Sequence, residues 1–150
     1  MLTPADMPLG YRLVLAKEAN LVIVDDEMPQ FLINASVSAD GILEFEIETQ
    51  INGTRGTLRG SVLYELMMQQ LGSKVKKIRG LWVSGSNLNE VNRLTKLGLL
   101  LEKAVFLTWS GERAYRLGYT EIDSIEFRGR LGMYGNVDVV FARSIAGGPT

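Results

Sequence analysis

The chain contains no cysteine and no histidine. The first absence removes disulfides, thiolate nucleophiles and every cysteine-ligated metal site. The second removes the usual general base at neutral pH and the usual transition-metal ligand. Any chemistry must therefore use carboxylates, Lys, Arg, Tyr, Ser or Thr. Long apolar runs are missing too. The longest are a few residues, such as Leu99-Leu100-Leu101, whereas a membrane-spanning helix needs about 20. The N-terminus has neither the basic start nor the apolar block of a signal peptide. A cytoplasmic location is expected, with no membrane partner, no metal and no cofactor.

What is present is a chain of 150 residues, 46% hydrophobic and 22% charged, the composition of one globular domain able to bury a core. The net charge of −1 hides a split: residues 1–50 carry 2 basic and 9 acidic side chains, residues 51–150 carry 14 and 8. Such an imbalance points to an anionic partner for the later part, or to electrostatic docking of the earlier part on it. Folding that intersperses the charges in space is the alternative.

The first half reads mainly as β. Tyr11 to Ala16 and Leu21 to Val24 are β-rich runs joined by Lys-Glu-Ala-Asn, a four-residue hairpin loop. After the Asp25-Asp26-Glu27 and Pro29 break, Phe31, Ile33, Ala35 and Val37 share one strand face. Asp40-Gly41 is a turn, and Phe45, Ile47 and Thr49 then alternate with Glu44, Glu46 and Glu48 as a half-buried strand with a solvated acidic face. A Gly-rich loop at 52–59 leads through Gly60-Ser61 into a helix carrying Val62, Leu63, Leu66, Met67 and Leu71, stopped by Gly72. The basic run from Lys74 to Arg79 opens a strand that continues to Val83.

In the second half, Asn87 reads as an N-cap with Glu90 three residues on, a variant capping box. Leu88, Val91, Leu94 and Leu97 recur at a spacing of three on one drifting helix face, with Gly98 past the end. Short helices follow from about Leu100 to Leu107 and from about Gly111 to Leu117, the latter capped by Ser110 and ended by Gly118. A β-hairpin closes the chain, with Ile125 and Phe127 in one arm and Val137, Val139 and Phe141 in the other. The tail from Ala146 should be loose. Leu88, Val91, Leu94, Val105, Val137 and Phe141 are expected in the core. Strands and helices are segregated, which predicts an α+β fold: a largely antiparallel sheet, one central helix, a cluster of short helices and a closing β-hairpin. The organisation predicted is a single domain over 1–150, the alternative being a β-rich appendage at 1–40 on a unit at 41–150.

The order Gly80, Trp82, Asn87-Leu88, Asn92, Ala104, Thr108-Trp109, Gly111, Ala114, Gly118, then a hairpin around Tyr134 and Val137, resembles C-terminal modules of bacterial polymorphic toxins, including filamentous-haemagglutinin and RHS-type chains. The resemblance spans roughly residues 41–143. It implies a role in contact-dependent competition between bacteria, as a toxic effector delivered into another cell and held in check by an immunity partner. It brings no catalytic set that maps onto these residues. The chain is expected to depart from that setting as a free-standing module that starts at Met1 without a delivery stalk, and it lacks the histidines many such nucleases use.

Three candidate sites stand out. Arg55 and Arg59, flanked by glycines before a helix start at Ser61, suit an anion, because backbone N–H groups and guanidinium forks bind phosphate; a mobile surface loop with two solvated arginines is the alternative. Lys74, Lys76, Lys77 and Arg79 with Trp82 suit single-stranded nucleic acid, whose bases stack on aromatic rings; lysines that guard a sheet edge and a core Trp82 are the alternative. In Trp109-Ser110-Gly111-Glu112-Arg113, Glu112 suits a base, Arg113 an oxyanion stabiliser, and Tyr115 completes a trio for a ribonuclease-like or NAD-cleaving reaction. Trp109 and Asn87 would help hold the substrate. A capped helix with Glu112 in its first turn explains the same residues, and Asn87 and Asn92 reduce to a cap and a helix-surface amide. Two functions follow: an effector-like domain acting on RNA or a nucleotide through an Arg/Lys-rich surface, or a non-catalytic module that binds a protein partner.

Overall fold

Alternating apolar residues in the first fifty positions become four strands: β1 (Tyr11–Lys17), β2 (Asn20–Asp25), β3 (Leu32–Val37) and β4 (Ile42–Glu48). The structure, a computed structural model, describes residues 1–144, so the tail from Ala146 lies outside the described residues. It is an α+β fold with several helices. It divides into two compact units, Met1–Val75 and the residues from Lys76 onward.

In the first unit β1 to β4 are successive antiparallel neighbours. Lys17 pairs with Asn20, which leaves only Glu18-Ala19 in the turn; the four-residue loop is tighter than expected because its outer members join the ladder. Pairing slips between Leu13 and Leu15, a bulge that twists this outer strand. Leu21, Ile23, Ile33, Ala35 and Leu43 point to one buried face. Helix α1 (Gly60–Leu71) covers it with Leu63, Tyr64, Leu66, Met67 and Leu71. The ring of Tyr64 meets Phe45 edge-on at 5.6 Å. Each fully buried Leu or Ile contributes about 1.5–3 kcal/mol relative to exposure. A two-residue ladder, β5 (Gln50–Ile51) with β6 (Thr54–Arg55), precedes α1. Gly72 ends α1, as expected, though not through a left-handed turn. It stays right-handed (φ −56°) and leads into a 3-10 turn over Gly72–Lys74.

In the second unit β7 (Lys77–Trp82), β9 (Met133–Ala142) and β8 (Glu121–Arg130) lie in that order, each pairing antiparallel. Helices α2 (Ser86–Lys96), α3 (Leu101–Ala104) and α4 (Trp109–Arg116) supply the other layer. The shared core holds Ile78, Trp82, Leu88, Val91, Ala104, Val105, Ala114, Val137, Val139 and Phe141. Phe106 packs on Phe141 with ring centres 5.1 Å apart. Helices α2 and α4 both end with a glycine in the left-handed region, Gly98 (φ 101°) and Gly118 (φ 96°). The following N–H of Leu99 or Tyr119 then reaches back to Leu94 or Ala114, which satisfies a terminal carbonyl.

The expected core face of α2 needs correction. Leu88 and Val91 are buried, but Leu94 is only half-buried and Leu97 is 73% exposed. A spacing of three lags the helix by about 60° per step, so the third step from Leu88 faces the opposite side. The buried row continues instead through Thr95. Its hydroxyl donates to the Val91 carbonyl (2.9 Å) and accepts from the Gly132 N–H (3.1 Å), which lets a polar side chain sit in the core. Among the described residues no helix is long and apolar enough to cross a membrane.

Candidate functional site

Among the residues singled out for chemistry, Asn87, Trp109, Glu112, Arg113 and Tyr115 lie on α2 and α4. Thr108, not Ser110, caps α4: its hydroxyl oxygen accepts from the Gly111 N–H at 2.9 Å while its hydrogen goes to the Val105 carbonyl at 2.8 Å. Ser110 is inside the first turn. Its N–H donates to Asn87 Oδ1 (3.2 Å), and Asn87 Nδ2 donates to Ser110 Oγ (3.0 Å). Asn87 is therefore a cap for another helix. Its place in the sequence predicts a cap for α2, but Gly85 (φ 90°) holds that position, and the amide answers an orphan N–H of α4 instead. Glu90 does not close a capping box either; it pairs with Arg93. Asn92, expected as a surface amide, clamps the backbone of β9. Its Nδ2 donates to the Tyr134 carbonyl at 3.0 Å, and its Oδ1 accepts from the Tyr134 N–H at 2.7 Å.

The trio Glu112, Arg113 and Tyr115 sits on α4, where successive residues diverge by about 100°. Arg113 turns onto Trp109, with its guanidinium 3.6 Å from the ring centre and one nitrogen donating to the Trp109 carbonyl at 3.2 Å. The ring of Trp109 is thus covered by a cation. Tyr115 packs edge-on against Phe106 at 5.5 Å. Glu112 is half-buried in the first turn, where a carboxylate complements the helix dipole. Arg113 and Tyr115, two positions apart, point to different sides of the helix.

The basic strand is partly neutralised. Arg79 makes a two-pronged contact with Asp138 (2.9 and 2.7 Å), and Lys77 reaches Asp123 at 3.0 Å. Trp82, a candidate stacking platform, is 7% exposed and tilts against Phe141 at 6.4 Å. Its ring also lies so close over Gly80 that a Cβ there would fall 2.8 Å from it. No face is left for a base. In the other unit Arg55 and Arg59 are exposed, with no ion pair among the described residues. Arg59 occupies the α1 cap position without a side-chain cap, and its N–H donates to the Tyr11 hydroxyl at 2.8 Å.

Comparison with known families, curated proteins and solved structures finds no match. Among the described residues no cluster of Asp or Glu could hold a metal ion. Glu44, Glu46 and Glu48 line the outer side of β4 opposite Ser36, Asn34 and Leu32.

One polar residue of consequence escaped the sequence. Asp25 is 1% exposed, yet its carboxylate is fully engaged. Oδ1 accepts from the N–H groups of Glu27 (2.9 Å) and Met28 (3.1 Å), and Oδ2 from the N–H (2.9 Å) and hydroxyl (2.5 Å) of Thr57. The Thr57 hydroxyl bond, against the opposing effect of burial and helped by the three backbone donors, pulls the carboxyl down to about 2. In the sequence the position looks like a chain break ahead of Pro29. Only an Asp followed two and three residues later by free N–H groups hints at a turn that folds onto its own carboxylate.

Proposed function

We propose that this chain is a non-catalytic interaction module. The observation that carries the reading is the direction of its polar side chains. An active site keeps such groups aimed at a substrate; here Asn87 serves Ser110, Asn92 serves Tyr134, Arg113 covers Trp109, and Arg79 and Lys77 are held by Asp138 and Asp123. The trio suggested for acid–base work diverges around α4, with Arg113 on Trp109 and Tyr115 against Phe106. A closing β8–β9 hairpin and a core of short helices would then act as a scaffold for surface contacts.

The exposed Arg55 and Arg59 favour a second reading, an effector-like domain of the polymorphic-toxin kind that acts on RNA or a nucleotide. The two readings separate on expression of the full chain in bacteria without a protective partner, followed by RNA retention on filters. The module reading expects healthy growth, intact RNA and NAD, and no retention at low salt. Growth arrest relieved by Glu112→Ala or Arg113→Ala in variants that still fold would overturn it. Retention that falls steeply with salt, and is lost in Arg55→Glu/Arg59→Glu, would favour the second reading, because each phosphate contact releases counterions.

A further inference from the structure

Strand β8 is the outermost strand of β7-β9-β8, ten residues long. On the helix-facing side Ile122, Ile125 and Phe127 lie opposite Phe141, Val139 and Val137. Those three partners on β9 are buried, but Ile122 and Ile125 are half-buried and Phe127 is 51% exposed. Helices α2 and α4 pack chiefly on β9 and β7. The apolar row of β8 is thus left at the margin of its cover.

The other side of β8 carries mismatched charge. Glu126 stands opposite Asp138, whose carboxylate is already held by Arg79. Like charges directly opposite destabilise a ladder, and Glu126 has no cation among the described residues. Arg128, opposite Asn136, has no carboxylate there either. A long edge strand with unused backbone groups is a template for another strand, and this one holds, on one face, an acid and a base two residues apart that a two-fold axis would set against each other.

We propose that β8 pairs antiparallel with β8 of a second copy, about a two-fold axis through Phe127. In that register Glu126 of each copy lies opposite Arg128 of the other, twice by symmetry, and Phe127 lies opposite its counterpart. The neighbouring registers fail. Centring on Glu126 sets that charge against itself, centring on Arg128 sets Arg128 against itself and spans the irregularity at Arg128/Gly129 to bring Glu126 opposite Arg130, and centring on Ile125 sets Glu126 against Ser124. The pairing falls in the part of β8 that is regular, between the irregularities at Ile122/Ser124 and Arg128/Gly129. A two-fold contact of this kind is self-complementary and closed. It extends the sheet while both copies keep their helices on the same side. The assignment does not depend on the function proposed above.

Sedimentation of the full chain over a concentration series tests it, with circular dichroism as the check on folding. The wild-type chain is expected to dimerise. Glu126→Arg alone and Arg128→Glu alone should each weaken the dimer by about tenfold or more, since two pairs become repulsive contacts. The combined swap, Glu126→Arg with Arg128→Glu, should recover affinity to within about threefold of wild type. A chain that stays monomeric up to about 100 μM overturns the proposal. So does a dimer indifferent to either single reversal, which would use another surface, or a swap that fails to restore association.

Discussion

Replacing Asp25 by Asn keeps the size of the side chain and removes one of its acceptor oxygens. In the native chain both oxygens take two donors each, from Glu27, Met28 and Thr57. An amide NH2 cannot accept, so whichever way the new side chain turned, at least one backbone N–H beside a 1% exposed site would lose its partner, the Thr57 hydroxyl alone being able to turn and accept instead. Each such loss costs about 1–3 kcal/mol, and the lost ionisation can be sized separately. The carboxyl is held at about 2 against an ordinary 3.8, a gap equivalent to about 2 kcal/mol. Because the folded value lies below the unfolded one, this contribution is fully present above about pH 4 and fades as the pH falls toward 2. Urea unfolding of wild type and Asp25→Asn should therefore differ by about 2–4 kcal/mol at pH 7. The gap should shrink as the pH drops from 4 to 2, while the other carboxylates titrate alike in both chains. A gap below about 0.5 kcal/mol at pH 7, or one that does not change with pH, would refute the reasoning.

Asn87→Ala should destabilise by about 0.5–2 kcal/mol by uncapping α4, and Asn87→Asp should keep most of that because the oxygen facing the Ser110 N–H remains; urea midpoints decide. Thr95→Val should cost about 1–3 kcal/mol by leaving the Gly132 N–H without its acceptor, whereas Leu97→Ala, on the exposed side of α2, should stay within about 0.5 kcal/mol. A Leu97 variant as damaged as the Thr95 one would mean that the helix face is misassigned. Gly111→Ala would drive a Cβ into the Val105 carbonyl oxygen, so a thermal midpoint equal to wild type would exclude the close approach of α4 to the turn before it.

The elements were largely legible before any coordinates. Period-two alternation in Phe31–Val37 and Phe45–Thr49 marks strands because successive side chains must face opposite sides. Glycines at 98 and 118 mark helix ends because the next residue needs a left-handed turn. Caps were less legible. Asn87, Ser110 and Glu90 each sit where a local rule assigns a cap, yet Asn87 caps a different helix, Thr108 takes the role of Ser110, and Glu90 finds Arg93. A side-chain amide at a helix start satisfies whichever N–H is nearest in space, and a linear rule sees only the nearest in sequence.

The same division runs through the candidate chemistry. The lack of His and Cys, the segregation of strands from helices and the clustering of Arg55 and Arg59 ahead of one helix and of Glu112 and Arg113 within another all follow from the residues alone, because composition and short-range periodicity are local properties. Whether those side chains meet is not local. Trp82 closes over Gly80 in the core, Arg79 crosses to Asp138 on the neighbouring strand, and Arg113 folds back onto Trp109. Asp25 takes its deciding partner from Thr57, thirty-two residues on. Each of these outcomes depends on strand register and helix rotation, which long-range packing sets, and so only the tertiary structure decides which polar groups face inward and which remain for a partner.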